Sequence, residues 1–478
     1  MLFNSLEFAF FLPLVFILYW FVTNQHLKLQ NALIVAASFV FYGWWDWRFL
    51  SLLLFSSVVD YSLGLALAKE EREKKRYMLL VFSILVNLGF LGFFKYFNFF
   101  IASFADAFTF FGQPFHASRL NIILPVGISF YTFQTLSYTI DVYRKKLEPT
   151  RDFIAFLAFV SFFPQLVAGP IERATNLLPQ FYVKRTFDYA KAVDGMRQIL
   201  WGLFKKIVIA DNCATYANKI FDHYTDYSGS TLLLGAVFFA FQIYGDFSGY
   251  SDIAIGTSRL FGFSLMRNFA FPYFSRDIAE FWRRWHISLS TWFRDYVYIP
   301  LGGSHGGMWM KARNTFIIFV VSGFWHGANW TFISWGFLNA LYFLPLLLLK
   351  QNRVNTDTVA EGKWIPSLQE FLQMSVTFFL TTMAWVFFRA RSIEDAIGYI
   401  KGIFNLSLFT IPAFHPAPTL LLLVLFIVVE WLQRYKQHAL QIDGMKIPRV
   451  ARWSVYYAVI IITILYGGQQ QEFIYFQF

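Results

Sequence analysis

The sequence predicts an all-α polytopic membrane protein, because its composition and its long apolar stretches both suit a lipid environment. Of the 478 residues, 57% are hydrophobic and 14% are charged, whereas soluble domains contain about 25% charged residues. The 62 Phe, 25 Tyr and 16 Trp residues are too many for one aqueous core to bury. A helix needs roughly 20 apolar residues to cross a hydrocarbon core of about 30 Å. Stretches that approach this length occupy residues 52–68, 77–94, 153–169, 315–325 and 420–429.

Basic residues between the apolar stretches account for the formal net charge of +11. They concentrate at residues 69–76 (KEEREKKR), 144–151 (RKKLEPTR) and 184–191. The positive-inside rule predicts cytoplasmic loops at such clusters. We therefore expect membrane lipids as partners and exclude nucleic acid.

The first apolar segment, residues 8–22, is expected to remain in the protein as a membrane span. It carries Glu7 before it and has neither a basic n-region nor a small-residue cleavage site, so it does not resemble a signal peptide. The lengths of the apolar stretches predict about eleven spanning helices, within a single domain over residues 1–478. The longest polar interruption, residues 351–366, is expected to separate a large helical body from the closing helices.

Proline and glycine interrupt one apolar stretch at Pro164, Gly169 and Pro170. Irregular backbone at membrane depth must be buried in protein or line a wet cavity. These interruptions therefore predict a cavity inside the protein.

Residues 275–298 predict one amphipathic helix at the membrane interface. Apolar and aromatic residues recur on one face at the helical period, and Arg283, Arg284 and Arg294 gather on the other. His286 lies on the apolar face by this periodicity. For His286 considered alone, the residues favour a structural role.

His326 lies within an apolar region at residues 320–330 (VVSGFWHGANW), beside Trp325. A buried ionisable residue in a membrane segment indicates function, because burial without a role or a partner is costly. Gly323 and Gly327 flank His326 and leave two alternatives open. Either they permit close helix packing, or they let a substrate approach the imidazole.

Further polar residues at membrane depth predict a lined cavity. Asp246 and Asp252 lie between apolar runs, and Asn329 follows His326 by three residues, so that it would share a helix face with His326 if this turn is helical. The sequence contains no cluster of residues with metal-ligand spacing, and the single Cys213 excludes an internal disulfide. We therefore expect neither metal catalysis nor a bound cofactor. The remaining histidines, at positions 26, 116, 223, 305, 415 and 438, are expected in loops or near the termini.

The order of the longer motifs resembles the membrane-bound O-acyltransferase family, in the branch of bacterial alginate and peptidoglycan O-acetylation proteins. The resemblance covers essentially the whole chain, with a signature core at about residues 121–345 and closing helices at about 367–478. Residues 102–119 and 351–366 carry no signature. The motifs that carry it are LPVGISFYTFQTLSYTIDVYR at 124–144, FPQLVAGPIER at 163–173, QIYGDFSGYSD at 242–252, FWRRWHISLSTWFRDY at 281–296, IPLGG at 299–303, FWHGANW at 324–330 and EFIYFQF at 472–478.

This resemblance implies a fold of about eleven spans around a central tunnel that opens to both sides of the membrane. It implies that His326 is the catalytic residue in the tunnel and that His286 is the second signature histidine. Trp325, Asn329, Asp246 and Asp252 are then candidate residues of the substrate tunnel. The implied location is the inner membrane of a bacterium.

The implied reaction is the transfer of an acyl group, expected to be acetyl, from a cytoplasmic thioester to a hydroxyl group of a cell-envelope polysaccharide. Acetyl-CoA is the expected donor, with an acyl carrier protein as the other possibility. A separate extracytoplasmic O-acetyltransferase is the expected partner. Two alternatives stay open: D-alanyl transfer to teichoic acid, and, from another class, a transporter for a glycan or its lipid carrier.

Overall fold

A computed structural model describes residues 1–110, 112, 120–445 and 447–476. His116, which was expected in a loop, and the last two residues of the EFIYFQF motif lie outside these residues. Within the described ranges the chain is α-helical with short 3₁₀ and π-helical segments and contains no β-strand, as the fold class predicts. The chain divides into two compact units, of which the first comprises residues 1–189 and 258–265 and the second residues 190–257 and 266–478.

In the described part of the first unit there are eight helices, and most of them are largely apolar. Their bounds are α1 Leu6–Ile17, α2 Leu27–Asp46, α3 Phe49–Lys69, α4 Glu73–Leu91, α5 Phe97–Phe110, α6 Ile128–Tyr143, α7 Phe153–Ser161 and α8 Ala174–Leu177.

Asp60 of α3 anchors a buried polar cluster in the first unit. Its carboxylate accepts hydrogen bonds from Ser83 Oγ at 2.5 Å, Asn87 Nδ2 at 2.8 Å and Thr139 Oγ1 at 2.9 Å. Each of these side chains is buried. Interhelical hydrogen bonds of this kind hold membrane helices together where no hydrophobic force does so, and here they join α3, α4 and α6.

The interruption predicted at Pro164 is present, but α7 is shorter than the apolar stretch 153–169 suggested. The helix ends at Ser161, and residues 162–172 are irregular and buried. Neighbouring side chains bind part of this backbone, since Phe163 N donates to Ser38 Oγ at 3.1 Å. Burial of irregular backbone within protein satisfies the requirement of the membrane. The cavity that we expected at this interruption stays a prediction.

The second unit contains His286 and His326 and, among the residues described, eleven helices. Their bounds are α9 Tyr189–Phe204, α10 Asp211–Asp222, α11 Gly229–Leu260, α12 Ile278–Arg284, α13 Ile287–Phe293, α14 Gly307–His326, α15 Trp330–Leu348, α16 Leu368–Arg389, α17 Ile393–Ile403, α18 Ala417–Leu432 and α19 Arg449–Leu465.

Five helices in the described part of the chain are long and apolar enough to cross a membrane. The predicted first span corresponds to a shorter apolar helix over Leu6–Val22, and α18 is a second helix of this shorter kind. The number of eleven spans stays a prediction. The five long helices are Phe49–Lys69, Glu73–Phe110, Gly229–Leu260, Trp330–Leu348 and Leu368–Arg389.

Glycines bring α9 and α11 close together. A Cβ atom on Gly249 would lie 2.7 Å from Gly202 O, and one on Gly202 would lie 2.6 Å from Gly249 O. Between α9 and α10 the chain forms a π-helical segment, Lys205–Ala210. Single π-turns often occur at functional sites because they redirect side chains. Here both lysines of the segment are buried.

The prediction of one continuous helix over residues 275–298 is wrong. Helix α12 ends at Arg284, and His286 adopts a left-handed backbone conformation with φ of 44° before α13 begins. Non-glycine residues rarely adopt this conformation, and it interrupts a helix. The expected burial of His286 is nevertheless present, with 1% of the residue exposed.

Candidate active site

His326 is the last residue of α14 and lies among aromatic side chains. Its ring centroid is 4.9 Å from Trp325, 5.2 Å from Trp335 and 5.3 Å from Phe388. The three ring planes lie at 75°, 89° and 71° to the imidazole. Only 5% of His326 is exposed. The imidazole is therefore held in a rigid, largely apolar surrounding, in agreement with the burial that the sequence predicted.

Close packing of α14 against α15 fixes the backbone around His326. A Cβ atom on Gly323 would collide with Phe332 O, and one on Gly327 would collide with the Phe332 ring. Both glycines thus allow α15 to approach α14. Of the two alternatives for these glycines, the structure supports close helix packing.

His286 is held in place by one buried asparagine. Asn268 Oδ1 lies 3.1 Å from His286 Nδ1, and it also accepts hydrogen bonds from Ser288 Oγ at 2.9 Å and from the Ser288 N–H at 3.3 Å. Asn268 Nδ2 in turn donates to Ser251 Oγ at 3.0 Å. Because Asn268 Oδ1 receives a backbone N–H, its identity as an oxygen is fixed. It can only accept, so His286 Nδ1 must donate.

This hydrogen bond determines the state of the other ring nitrogen. Burial lowers the pKa of His286 to about 3, so the imidazole is neutral at physiological pH. A neutral imidazole with its proton on Nδ1 carries a lone pair on Nε2. In the described part of the chain, Nε2 of His286 is buried and has no hydrogen-bond partner. His286 therefore presents an acceptor, and not a donor, to its surroundings.

Trp325 lies against both histidines. Its ring centroid is 6.2 Å from the ring of His286 and 4.9 Å from that of His326. The structure therefore brings the two histidines, forty residues apart in the sequence, into contact with one indole. Trp325 was a candidate tunnel residue, and this role stays a prediction.

The segment after α19 returns to the same site. Tyr475 lies 5.8 Å from the His326 ring and 4.5 Å from Phe247, measured between centroids. Phe247 packs in turn against His286 at 4.7 Å. Residues 473 and 474 are buried beside it. The C-terminal motif, which the sequence connected to the family only by resemblance, thus forms part of the histidine site.

Asp246 holds this segment in place. The Ile474 N–H donates to Asp246 Oδ2 at 2.7 Å, and Lys206 Nζ lies 2.9 Å from Asp246 Oδ1. Lys206 also pairs with Asp211 at 2.8 Å and donates to Gln471 O at 3.1 Å. A buried lysine between two carboxylates is compensated in charge. Asp246 therefore connects the π-helical segment to the C-terminal residues.

The other two candidate tunnel residues also have clear partners. Asp252 forms an ion pair with Lys205 at 2.6 Å and accepts a hydrogen bond from Gln198 Nε2 at 2.8 Å. Asn329 does not share a helix face with His326, because α14 ends at His326. Instead Asn329 caps α15 by accepting from Thr331 N at 3.0 Å, and its Nδ2 donates to Arg391 O at 3.1 Å. A tunnel role for both residues stays a prediction.

The arginines around α12 bind the polar loop that follows α15. Arg276 pairs with buried Glu280 at 3.0 Å and with Asp357 at 2.8 Å. Arg283 donates to the backbone oxygens of Asn352 and Asn355 at 2.9 and 2.5 Å. These ion pairs and hydrogen bonds hold the loop at residues 351–366, which carries no family signature, against the segment that precedes His286. No cluster of three or more metal-binding side chains occurs among the residues described.

Sequence reasoning missed Asn268 and the two buried lysines. Lys205 and Lys206 interrupt an apolar run at residues 201–210 (WGLFKKIVIA), and charged residues in such a run indicate function or a buried partner. That signal was available. Asn268 lies in a loop without local pattern, and only the folded chain connects it to His286.

Comparison with known proteins identifies the family to which the chain belongs. The family model described as MBOAT, membrane-bound O-acyltransferase family, matches residues 39–375. The chain belongs to this family. The match extends beyond both ends of the predicted core at 121–345.

Curated relatives agree with this assignment. The chain is 41% identical over 408 residues to the probable alginate O-acetylase AlgI of Pseudomonas aeruginosa, which covers 85% of this chain and 75% of that protein. It is 32% identical over 531 aligned residues to the peptidoglycan O-acetyltransferase of Helicobacter pylori, with 100% and 98% covered. The teichoic acid D-alanyltransferase of Bacillus subtilis is 28% identical over 291 residues, with 58% and 72% covered. The protein is therefore an integral membrane enzyme that transfers acyl groups to oxygen.

Proposed function

We propose that the protein moves an acetyl group from acetyl-CoA at the cytoplasmic face toward a hydroxyl group of an extracytoplasmic cell-envelope polysaccharide. By their names, the relatives at 41% and 32% identity acetylate alginate and peptidoglycan. The relative named as a D-alanyltransferase is less similar, at 28% identity. These identities favour acetyl over D-alanyl as the group transferred. The proposed location is the bacterial inner membrane. A partner transferase outside the membrane is proposed to complete the modification.

The observation that carries the mechanism is that the rings of His286 and His326 both lie near Trp325, at 6.2 and 4.9 Å between centroids. In the proposed reaction, the imidazole of His326 accepts the proton of the acceptor hydroxyl. The hydroxyl oxygen bonds to the thioester carbonyl carbon, the carbon–sulfur bond breaks, and the proton passes from the imidazole to the departing thiolate. Positioned general bases contribute about 10²–10⁴-fold to rate, and alignment of the two substrates supplies much of the rest.

His286 is proposed to assist by orienting a substrate near Trp325. Its Nε2 lone pair can accept a hydrogen bond from a substrate N–H or O–H, because Nδ1 is already committed to Asn268. The low pKa of His286 keeps this nitrogen free of a proton near neutral pH. This role orients a substrate and does not require His286 to transfer a proton itself.

The test follows radiolabelled acetyl from acetyl-CoA in membranes, with thioester cleavage measured in the same samples. His326→Ala is expected to lower thioester cleavage by about 10²–10⁴-fold, while expression and extraction from membranes remain normal. His305→Ala is the matched control, because this histidine is exposed. Full activity of His326→Ala would refute the assignment. Cleavage of a carrier-protein thioester but not of acetyl-CoA would instead identify the D-alanyl type of donor.

A further inference from the structure

A short piece of chain from Asn268 to Ala270, called here the Asn268 segment, pairs with the backbone on both sides of His286. The Ala270 N–H donates to Arg284 O at 2.9 Å, and the Ile287 N–H donates to Asn268 O at 2.9 Å. The turn between these hydrogen bonds contains His286, and a non-glycine residue keeps a left-handed conformation only where its surroundings hold it. The position of the Asn268 segment therefore determines where the His286 turn lies.

The same segment supplies the side chain that fixes the His286 tautomer. Asn268 Oδ1 accepts a hydrogen bond from His286 Nδ1 at 3.1 Å, and this leaves on Nε2 the lone pair on which the proposed role of His286 depends. In a neutral imidazole the proton can reside on either nitrogen. A displacement of Asn268 would release Nδ1 and permit the other tautomer, in which Nε2 donates and does not accept.

The guanidinium of Arg284 binds three separate parts of the chain. Its Nε and Nη2 donate to Glu280 Oε1 at 3.0 and 2.8 Å, within α12. Its Nη1 donates to Ala270 O at 3.3 Å, and its Nη2 also donates to Asp357 O at 2.9 Å, in the polar loop that follows α15. The planar group thus connects α12, the Asn268 segment and the polar loop. A lysine ammonium is a compact point charge and does not reproduce this fork of donors.

A buried carboxylate holds the guanidinium of Arg284 in this position. Glu280 is 1% exposed, and its Oε2 accepts from the backbone N–H of Arg276 at 2.8 Å and from Arg276 Nε at 3.0 Å. Nη2 of Arg276 also donates to Asp357 Oδ1 at 2.8 Å. Both carboxylate oxygens of Glu280 are therefore bound, and hydrogen bonds between arginine and carboxylate add geometric specificity to their charge. The Arg284 guanidinium accordingly keeps one orientation.

The neighbouring Arg283 binds the same polar loop without binding the Asn268 segment. Its Nη1 and Nη2 donate to the backbone oxygens of Asn352 and Asn355 at 2.9 and 2.5 Å. Arg283 is exposed, whereas only 15% of the Arg284 side chain is exposed. Two adjacent arginines therefore hold the loop, and among the residues described only Arg284 of the two also donates to the Asn268 segment.

We propose that Arg284 is a positioning residue for His286, because it holds the Asn268 segment against α12 and so keeps Asn268 Oδ1 on His286 Nδ1. The proposal rests on the proposed function, which gives His286 its role as an acceptor. Arg284 acts through Asn268 and not on the substrate. The polar loop contributes the backbone oxygen of Asp357 to this arrangement, so a loop without family signature helps to hold the histidine site.

The experiment compares Arg284→Lys with the matched control Arg283→Lys in the detergent-solubilised protein, labelled with ¹⁵N at histidine. Each change retains the positive charge and removes the planar guanidinium. The chain has eight histidines, and the nuclear magnetic resonance signals that disappear in His286→Phe are those of His286. In the wild type we expect the proton of neutral His286 on Nδ1. Arg284→Lys is expected to move part of this population to Nε2, and Arg283→Lys is expected to retain the wild-type spectrum.

Turnover of acetyl-CoA and digestion by trypsin are measured on the same preparations. Turnover is expected to be about tenfold lower in Arg284→Lys, because a small misplacement of a group at the site is costly, and unchanged in Arg283→Lys. Faster cleavage after Arg353 and Lys363 reports loosening of the polar loop, which both changes are expected to produce. Loosening of the loop is thereby separated from the effect on His286.

Glu280→Asp is a second variant, for use if Arg284→Lys does not fold. It shortens the buried carboxylate by one methylene group and draws the Arg284 guanidinium away from Ala270 O, so the tautomer should change in the same direction.

A wild-type tautomer of His286 in both Arg284→Lys and Glu280→Asp would overturn the proposal. An equal change of the tautomer in Arg283→Lys would also overturn it, because any loosening of the loop would then suffice. A change confined to the Arg284 and Glu280 variants without loss of turnover would support the proposal and refute instead the acceptor role of His286 in the proposed function.

Discussion

Two buried polar side chains, Asp60 in the first unit and His286 in the second, differ in how completely their hydrogen-bonding atoms are paired. Asp60 accepts three hydrogen bonds from serine, asparagine and threonine side chains. His286 has one ring nitrogen committed to Asn268, and the other has no partner among the residues described. Both residues are almost fully buried. Burial alone therefore does not separate these two residues, whereas the number of their paired hydrogen-bonding atoms does, and we expect that difference to accompany a difference in function.

The largest effect is expected at His326, the proposed general base. His326→Ala is expected to lower turnover by about 10²–10⁴-fold, the usual contribution of a positioned general base. Its thermal unfolding should change little relative to that loss. A variant that loses stability in proportion to activity would place His326 with Asp60 instead, and unfolding followed by intrinsic fluorescence measures this.

The next effect is expected where the C-terminal segment is anchored. Asp246→Ala removes the acceptor of the Ile474 N–H and one of the two carboxylates that compensate Lys206. The expected result is about a tenfold loss of turnover, since a small misplacement of site residues is costly. Digestion of the C-terminal residues by carboxypeptidase should become faster.

Asp246→Asn is the matched control for this experiment, because its amide oxygen can still accept from Ile474 N. It should retain more activity than Asp246→Ala and should protect the C-terminal residues better. Equal rates of digestion in the wild type and in Asp246→Ala would contradict the anchoring role.

A smaller and pH-dependent effect is expected from Asn268→Asp. A carboxylate beside His286 stabilises the imidazolium and raises the pKa of His286 from its value of about 3. Below the raised pKa, Nε2 is protonated and no longer accepts a hydrogen bond, so turnover should fall as the pH decreases. In the wild type His286 stays neutral between pH 5 and 8, and it contributes no such decline. Profiles of turnover against pH for both proteins test this, and identical profiles would contradict the assigned tautomer.

The smallest effect on activity is expected at Asp60. Asp60→Ala leaves three buried donors without their acceptor, which costs about 1–3 kcal/mol for each unsatisfied group at most. The unfolding temperature should fall, while turnover per folded molecule should stay within about twofold of the wild type. A large loss of turnover in the folded fraction would show that a buried side chain with fully paired hydrogen-bonding atoms can still be needed for activity.

The sequence predicted the helical membrane class and the burial of His326, because both follow from local composition. It failed at residues 275–298, where helical periodicity was extended across His286. An extended residue, Trp285, and a left-handed residue, His286, separate α12 from α13, and periodicity contains no information about such a break. The role of Asn268 and the return of Tyr475 to the histidines depend on contacts between distant parts of the chain. Two lysines in an apolar run were a local signal for the buried ion pairs of Lys206, but no prediction was made from them.

The return of residues 471–475 to the histidine site has a consequence for biosynthesis. This segment leaves the ribosome after the helices that the structure describes, α1 to α19, so His286 and His326 reach their final surroundings only once synthesis has passed residue 475. Until then Lys206 has Asp246 and Asp211 for partners but lacks the backbone oxygen of Gln471. Residues 471–475 therefore complete the histidine site only after the preceding helices have been synthesised. A partly inserted chain would hydrolyse or transfer little of the cell's thioester pool.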